Sequence, residues 1–333
     1  MNGMSGDQSS FSDGVIPVVD ITALRDGSDT ARVARELHAA STGPGFVYVS
    51  GHGIPDAVLN GAREAALAFF RKPSEAKTEV AVAGAHRGWI AQGGARMRDD
   101  LATDLKESFV WGRESVPGEP SDDHPLRGAN RWPTGCPELR AQATAWFERA
   151  HEVARHLLHG FALGLDLPKD FFLRRASRPL SRASFVYYPP QAGERFGVAP
   201  HTDFGVLTVL AQDAIGGLEV QRPDGAWIAA PPIEGTLVVN VADLLSRWTN
   251  GIYHSTPHRV VNRSGRERLS LVLAFDPDPD ALVDSREVVG EVAGQASPIT
   301  CGDYLEWRFG KAFAYRNSPN AAGDRESGGE RTR

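Results

Sequence analysis

The chain has 333 residues, 41% of them hydrophobic and 23% charged, with a formal net charge of -6. That is ordinary globular composition with enough chain for a large core, and nothing in it is a basic stripe that would draw the protein to nucleic acid. The two cysteines, Cys136 and Cys301, are too few for a disulfide framework and suit a reducing cytoplasm; neither a secretory pattern nor an apolar run near the ~20 residues of a membrane helix is present.

Residues 1–13 are polar and Gly/Ser-rich and read as a disordered N-terminus, as do residues 320–333 at the other end. Between Ile16 and Ile21, IPVVDI reads as a short strand opened by Pro17. Asp29 is placed to cap a helix that carries Val33 and Leu37. GFVYVSGHG, from Gly45 to Gly53, reads as a buried strand ending in a glycine turn. Pro55 opens a second helix, with Val58, Leu59, Ala62, Ala66, Phe69 and Phe70 on one stripe. A long third helix is predicted over residues 137–164, marked by Leu139, Trp146, Phe147, Val153, Leu157 and Phe161. From Ala183 the texture changes to short β-rich runs: SFVYY, VLTVLAQ, GLEVQ, AWIAA, TLVVNV, IYHSTPHRVV and RLSLVLAF. Turn signals such as Asp224-Gly225 and Asn250-Gly251 separate several of them, and strands at this spacing predict a jelly roll or barrel.

Chemistry concentrates in two places. In HTDFGVLTVLAQD, His201 and Asp203 stand at i and i+2, which in an extended segment puts both on one side. A third ligand must come from elsewhere, and HSTPHRVV offers His254 and His258. Two imidazoles and a carboxylate on one face of a metal leave positions open, the arrangement of non-haem Fe(II) oxygen chemistry. The plain alternative is a hydrogen-bonded loop histidine beside a turn aspartate. Downstream, Arg268 and Ser270 also share one side of a strand. An inward arginine in so apolar a run is costly unless it meets an anion, and a guanidinium fork with a hydroxyl suits a small carboxylate. A structural ion pair with a core acid such as Asp243 is the competing explanation.

Four segments in this order resemble the isopenicillin N synthase-like family of Fe(II)/2-oxoglutarate-dependent oxygenases: GFVYVSGHGIP; YYPPQ followed by HTDFGVLTVLAQD; WTNGIYHSTPHRVVN; and RLSLVLAFDPD. The resemblance runs from Ile16 to Tyr315. It implies that His201, Asp203 and His258 hold Fe(II), since His258 rather than His254 stands in the family's H-R-V slot. It implies that Arg268 and Ser270 bind the distal carboxylate of 2-oxoglutarate and that Tyr188 supports it. Val186 stands where many plant members have an asparagine, so that one contact is not carried over.

The implied fold is an all-β core with α additions, a double-stranded β-helix (jelly roll) flanked by N-terminal helices. The implied division is a mainly helical region over 14–178, the jelly roll over 179–285 and a C-terminal strand and helix over 286–319. Phe204, Leu207, Val209, Leu218, Val220 and Val239 are expected to line the barrel interior. DLKESFVWGRE, from Asp104 to Glu114, resembles a scaffold strand of the family, and CGDYLEWRFGKAF is a C-terminal helix over the barrel mouth or packed beside it. Trp89, Arg96, Arg98, Phe185, Phe204 and Phe275 are the substrate-contact candidates. The implied reaction uses Fe(II), 2-oxoglutarate and O2 to oxidise a small molecule, releasing succinate and CO2. The outcome is hydroxylation, or desaturation or cyclisation, in bacterial specialised metabolism such as antibiotic biosynthesis, in the cytoplasm and without a nucleic-acid or membrane partner. Because isopenicillin N synthase keeps an Arg-x-Ser pair yet does not use 2-oxoglutarate, an iron oxidase independent of it is the alternative.

Overall fold

A computed structural model describes residues 15–95, 104–114, 124–190 and 196–313; the expected disordered ends, and Arg96 and Arg98, lie outside the described residues. Twelve strands carry the core: β1 (Val18–Asp20), β2 (Phe46–Ser50), β3 (Gly88–Ile90), β4 (Glu107–Gly112), β5 (Arg182–Tyr188), β6 (Phe196–His201), β7 (Leu207–Gln212), β8 (Leu218–Gln221), β9 (Trp227–Ala229), β10 (Leu237–Val241), β11 (His258–Val261) and β12 (Arg268–Phe275). Eight form a major sheet in the order β1-β2-β10-β7-β12-β5-β4-β3, and four form a minor sheet in the order β6-β11-β8-β9. The fold is a jelly roll. Its major sheet borrows β1 to β4 from the N-terminal region, so that region is not only a helical wrapper.

The predicted helices form where their sequence signals lie. Asp29 accepts the Arg32 backbone N–H at 3.2 Å and caps the helix Thr30–Thr42. The stripe after Pro55 becomes the helix Asp56–Phe70, and the long helix is Pro137–Gly164, with proline in its first turn where no partner for its missing N–H is needed. These helices pack on the outer face of the major sheet. Trp146, Leu157 and Phe161 are buried there against Leu271 and Leu273 in one apolar cluster. Full burial of each such side chain stabilises by about 1.5–3 kcal/mol.

Strand alternation divides the major sheet into a helix-facing side and a cavity-facing side. Val186 and Tyr188 of β5, Thr208 and Leu210 of β7, Val238 and Asn240 of β10, and Val272 and Ala274 of β12 face the cavity. Leu207, Val209 and Val239 sit one position out of phase and belong to the helix-side core, which corrects their expected place inside the barrel. Leu218 and Val220 do belong to the inner cluster, with Phe46, Tyr188 and Val260.

Two elements escape the sequence pattern. FGVAPH becomes β6, the strand that carries His201, although its apolar content is slight. DLLSRW forms a short helix, Asp243–Trp248, between β10 and β11. Asn250-Gly251 therefore ends a helix instead of joining two strands: both residues have positive φ, 51° and 80°, and the Gly251 N–H returns to the Ser246 carbonyl at 2.8 Å.

Candidate metal and cosubstrate centre

His201 is the last residue of β6 and His258 the first of β11, and the two are direct partners in the minor sheet. Asp203 follows β6 in the bend that leads to β7. The three are brought together by this bend and by strand pairing, rather than by alternation along one extended segment. Their ligand atoms all lie within 4.8 Å of one another. Asp203 Oδ1 stands 3.7 Å from Nε2 of each imidazole, and the two rings are 4.3 Å apart. His254, the alternative ligand, is exposed and turned to the Gly43 carbonyl.

The surroundings set each donor. Nδ1 of His201 lies 2.8 Å from the Ala199 carbonyl and Nδ1 of His258 lies 3.2 Å from the Thr256 carbonyl. A carbonyl only accepts, so both rings carry their proton on Nδ1 and turn a bare Nε2 inward. Burial, and then the neighbouring His258, push His201 far below the ordinary imidazole range, which keeps it a neutral donor. Burial alone would raise Asp203; His258, His201 and hydrogen bonds from Thr208 and Asn240 hold it low. Those two bonds, at 2.6 and 2.9 Å, occupy Oδ2 and leave Oδ1 facing the imidazoles. Asp243 braces the loop behind them. Its N–H donates to the Asp203 carbonyl at 2.9 Å, and its carboxylate accepts from Thr202 at 3.2 Å and Ser255 at 2.7 Å.

Arg268 opens β12, opposite Tyr188 of β5, and is 0% exposed. Its Nε donates to the Gly216 carbonyl at 2.6 Å and its Nη1 to Ser270 Oγ at 2.8 Å, while the guanidinium lies 4.6 Å from the Tyr188 ring centre. Nη2 is buried with no hydrogen-bond partner among the described residues. Asp243 is not its partner; that carboxylate pairs with Arg308 at 3.1 Å. A buried cation whose neighbours are all neutral costs several kcal/mol unless an anion reaches it.

The donor set fits the groups that the sequence implies. Two imidazole nitrogens and one carboxylate oxygen, held on one side, suit Fe(II) with positions left open. The unmet Nη2 of Arg268, beside the Ser270 hydroxyl, suits a carboxylate.

Of the substrate-contact candidates, Phe204 lines the cavity. Phe185 and Phe275 do not: both face the helix side, Phe185 against Trp111 at 4.5 Å and Phe275 against His151 at 5.0 Å. Trp89 is held away by its indole N–H, which donates to Glu107 at 2.7 Å. The cavity wall instead includes Arg182, Lys106, His86, Phe309 and Phe313. Arg182 was readable, because it has the parity of Tyr188 on β5. Lys106 lies in the stretch read as scaffold, and Phe309 and Phe313 come from the helix Cys301–Ala312 and the residue after it, which does cover the barrel mouth.

Comparison with known proteins identifies the family. Residues 181–277 match the family model described as the 2OG-Fe(II) oxygenase superfamily, and residues 16–135 match the N-terminal model of non-haem dioxygenases in morphine synthesis. The chain is 36% identical over 302 residues to a validamycin A dioxygenase of Streptomyces hygroscopicus subsp. limoneus, covering 84% of this chain and 82% of that one. Among solved structures it resembles an oxygenase-family protein of Caulobacter crescentus, with TM-score 0.79 and 28% identity over 89% of this chain and 99% of that one. It also resembles a full-length Neurospora crassa protein solved with alpha-KG and thymine, with TM-score 0.78 and 26% identity over 89% and 97% of the two chains. The chain belongs to the 2-oxoglutarate/Fe(II) oxygenases of the isopenicillin N synthase-like superfamily, and is a non-haem dioxygenase whose cofactors are Fe(II), 2-oxoglutarate and O2.

Proposed function

We propose that His201, Asp203 and His258 hold the iron, that Arg268 and Ser270, backed by Tyr188, hold the far carboxylate of 2-oxoglutarate, and that the enzyme oxidises a small molecule of bacterial specialised metabolism in the cytoplasm. The reaction is a hydroxylation in its simplest form, with desaturation or ring closure as variants that share its opening steps. The observation that carries the assignment of residues is the buried Nη2 of Arg268, which has no hydrogen-bond partner among the described residues and stands beside a hydroxyl that could join it on a carboxylate. The similarity to a Streptomyces dioxygenase supports the metabolic setting. Among the described residues no helix is long and apolar enough to cross a membrane.

Iron with 2-oxoglutarate and O2 supplies the oxidising power when bound, with loss of CO2 and formation of succinate. The chain's own residues do the rest. Thr208 and Asn240 fix the carboxylate of Asp203, the carbonyls of Ala199 and Thr256 fix the imidazole tautomers, and the apolar walls of Phe46, Val198, Leu218 and Val260 exclude water from the cosubstrate. The test is anaerobic addition of Fe(II) and then 2-oxoglutarate to the purified protein. A weak visible charge-transfer band is expected in the wild type and is lost in Arg268→Gln at the same cosubstrate concentration. Iron binding without a band would favour an oxidase that takes all its electrons from substrate.

A further inference from the structure

Beyond the metal, the cavity wall changes character. Near Asp203 it is built from Phe204, Phe309, Phe313 and His86, with Arg182 and Lys106 as its cations. Arg182 lies over the Phe309 ring at 4.6 Å, and His86 stacks on the same ring at 4.7 Å with a 22° tilt. Phe204 meets Phe309 edge-on at 5.8 Å, and Phe313 lies 5.7 Å from Phe309. Among the described wall residues the one carboxylate is Asp203, which the metal site occupies. Each cation has an acid behind it, away from the opening. Arg182 Nη1 stands 2.7 Å from Asp276, which is 0% exposed and not part of the wall, and Lys106 stands 3.6 Å from Asp104, which is 1% exposed. The acids pair with their cations without enclosing them, since Arg182 and Lys106 both still line the cavity. The acids hold the cations in place, and the cations face the cavity.

Building on the oxygenase reading above, we propose that the substrate has a planar or apolar body held by Phe204, Phe309 and Phe313, and an anionic group, a carboxylate, anchored by Arg182 with help from Lys106. Cationic compounds are disfavoured because, among the described residues, no acid other than Asp203 lines the wall. A guanidinium at a desolvated wall discriminates a carboxylate from the isosteric amide by about tenfold or more.

The probes are cinnamate, 3-phenylpropanoate and 2-naphthoate, each beside its primary amide and the amine of matching shape. Binding is measured by calorimetry under anaerobic conditions on the full chain loaded with Fe(II) and saturating 2-oxoglutarate, so that Arg268 is already occupied. Carboxylates are expected to bind at least ~10-fold more tightly than their amides, and amines most weakly. Arg182→Gln strands Asp276 and is paired with Asp276→Asn to keep the fold. In this double variant the preference should collapse to less than ~3-fold while the charge-transfer band stays unchanged. Lys106→Gln should reduce it by ~3-fold. Equal binding of amides, preferred binding of amines, a preference that survives the double variant, or no binding by any carboxylate overturns the proposal. A wild type that forms no band overturns the oxygenase reading, and the proposal with it, so the two failures differ visibly.

Discussion

Arg268 and Arg182 stand on neighbouring strands, β12 and β5, yet they are buried on different terms, and of the two Arg182 lines the cavity. Arg268 touches a carbonyl, a hydroxyl and a ring face, and no acid among the described residues. Arg182 has Asp276 at 2.7 Å. The first is a charge waiting for its partner; the second arrives with one. An arginine without an acid offers its whole charge to an incoming carboxylate, whereas one with an acid behind it offers less. Asp203, between the two ends, is what both depend on. Asp203→Ala should break the comparison altogether. Loss of the only carboxylate donor removes metal charge balance, and turnover should fall by at least ~1000-fold with Fe(II) no longer retained on desalting. Wild-type turnover in that variant would sink the assignment.

The two arginines should also respond with opposite sign when made apolar. In Arg182→Met the buried Asp276 loses its ion-pair partner, with the charge of Arg87 still acting on it, a loss of about 3–5 kcal/mol in the stability of the metal-free protein. Burial already pushes Asp276 up towards its neutral form, with Arg182 opposing, so removing the arginine should let it take up a proton. Arg268→Met strands no acid and relieves an unpaired buried cation, so urea denaturation should show the metal-free protein unchanged or more stable. Equal losses in both variants would mean that an unseen acid serves Arg268. In the loaded enzyme the order reverses. Arg268→Gln should raise the 2-oxoglutarate requirement by the equivalent of about 2–5 kcal/mol while leaving Fe(II) affinity in place, measured by succinate release against cosubstrate concentration. Unchanged cosubstrate affinity would point Arg268 to another carboxylate.

How much of this was readable in the chain follows the same division. The candidate ligands and clamp were read from short spacings, i and i+2 or H-R-V; in the structure His201 and His258 are paired at strand ends, Arg268 and Ser270 share one strand face, and Asp203 lies just past β6. The long helix and the capped helix were legible because periodicity and capping are local. Faces were harder. Leu207, Val209 and Val239 are apolar, as an interior demands, but this sheet is buried on both sides, so apolarity alone does not say which side is which. The parity of Arg268 and Ser270, carried forward to Val272 and Ala274, does say it, and it excludes Phe275. The same parity on β5 excludes Phe185 and admits Arg182. The pairing of Arg182 with Asp276 was not legible, because it joins residues 94 positions apart across two strands. Gly205 shows how tightly that pair is packed: any side chain there would collide with Asp276. The helix Asp243–Trp248 was missed because six residues carry too few turns to display a period.

The helix side of β12 offers a last and smaller contrast with its cavity side. Phe275 rests on His151, which is also stacked on Phe147 at 5.7 Å, and its Nε2 is buried without a hydrogen-bond partner among the described residues. Burial, followed by Arg155 and Arg113, pushes His151 down to about 4. The unfolded chain, with an ordinary imidazole near 6.5, therefore binds a proton that the folded chain refuses between those two values. By linkage, stability is fully present above about pH 6.5 and is lost as pH falls towards 4, by roughly 1–2 kcal/mol at pH 5. His151→Phe keeps the stacked ring and removes the titration, so its urea midpoint should shift less between pH 7 and pH 5 than that of the wild type. An equal shift in both proteins would show that His151 is not the source of the acid sensitivity.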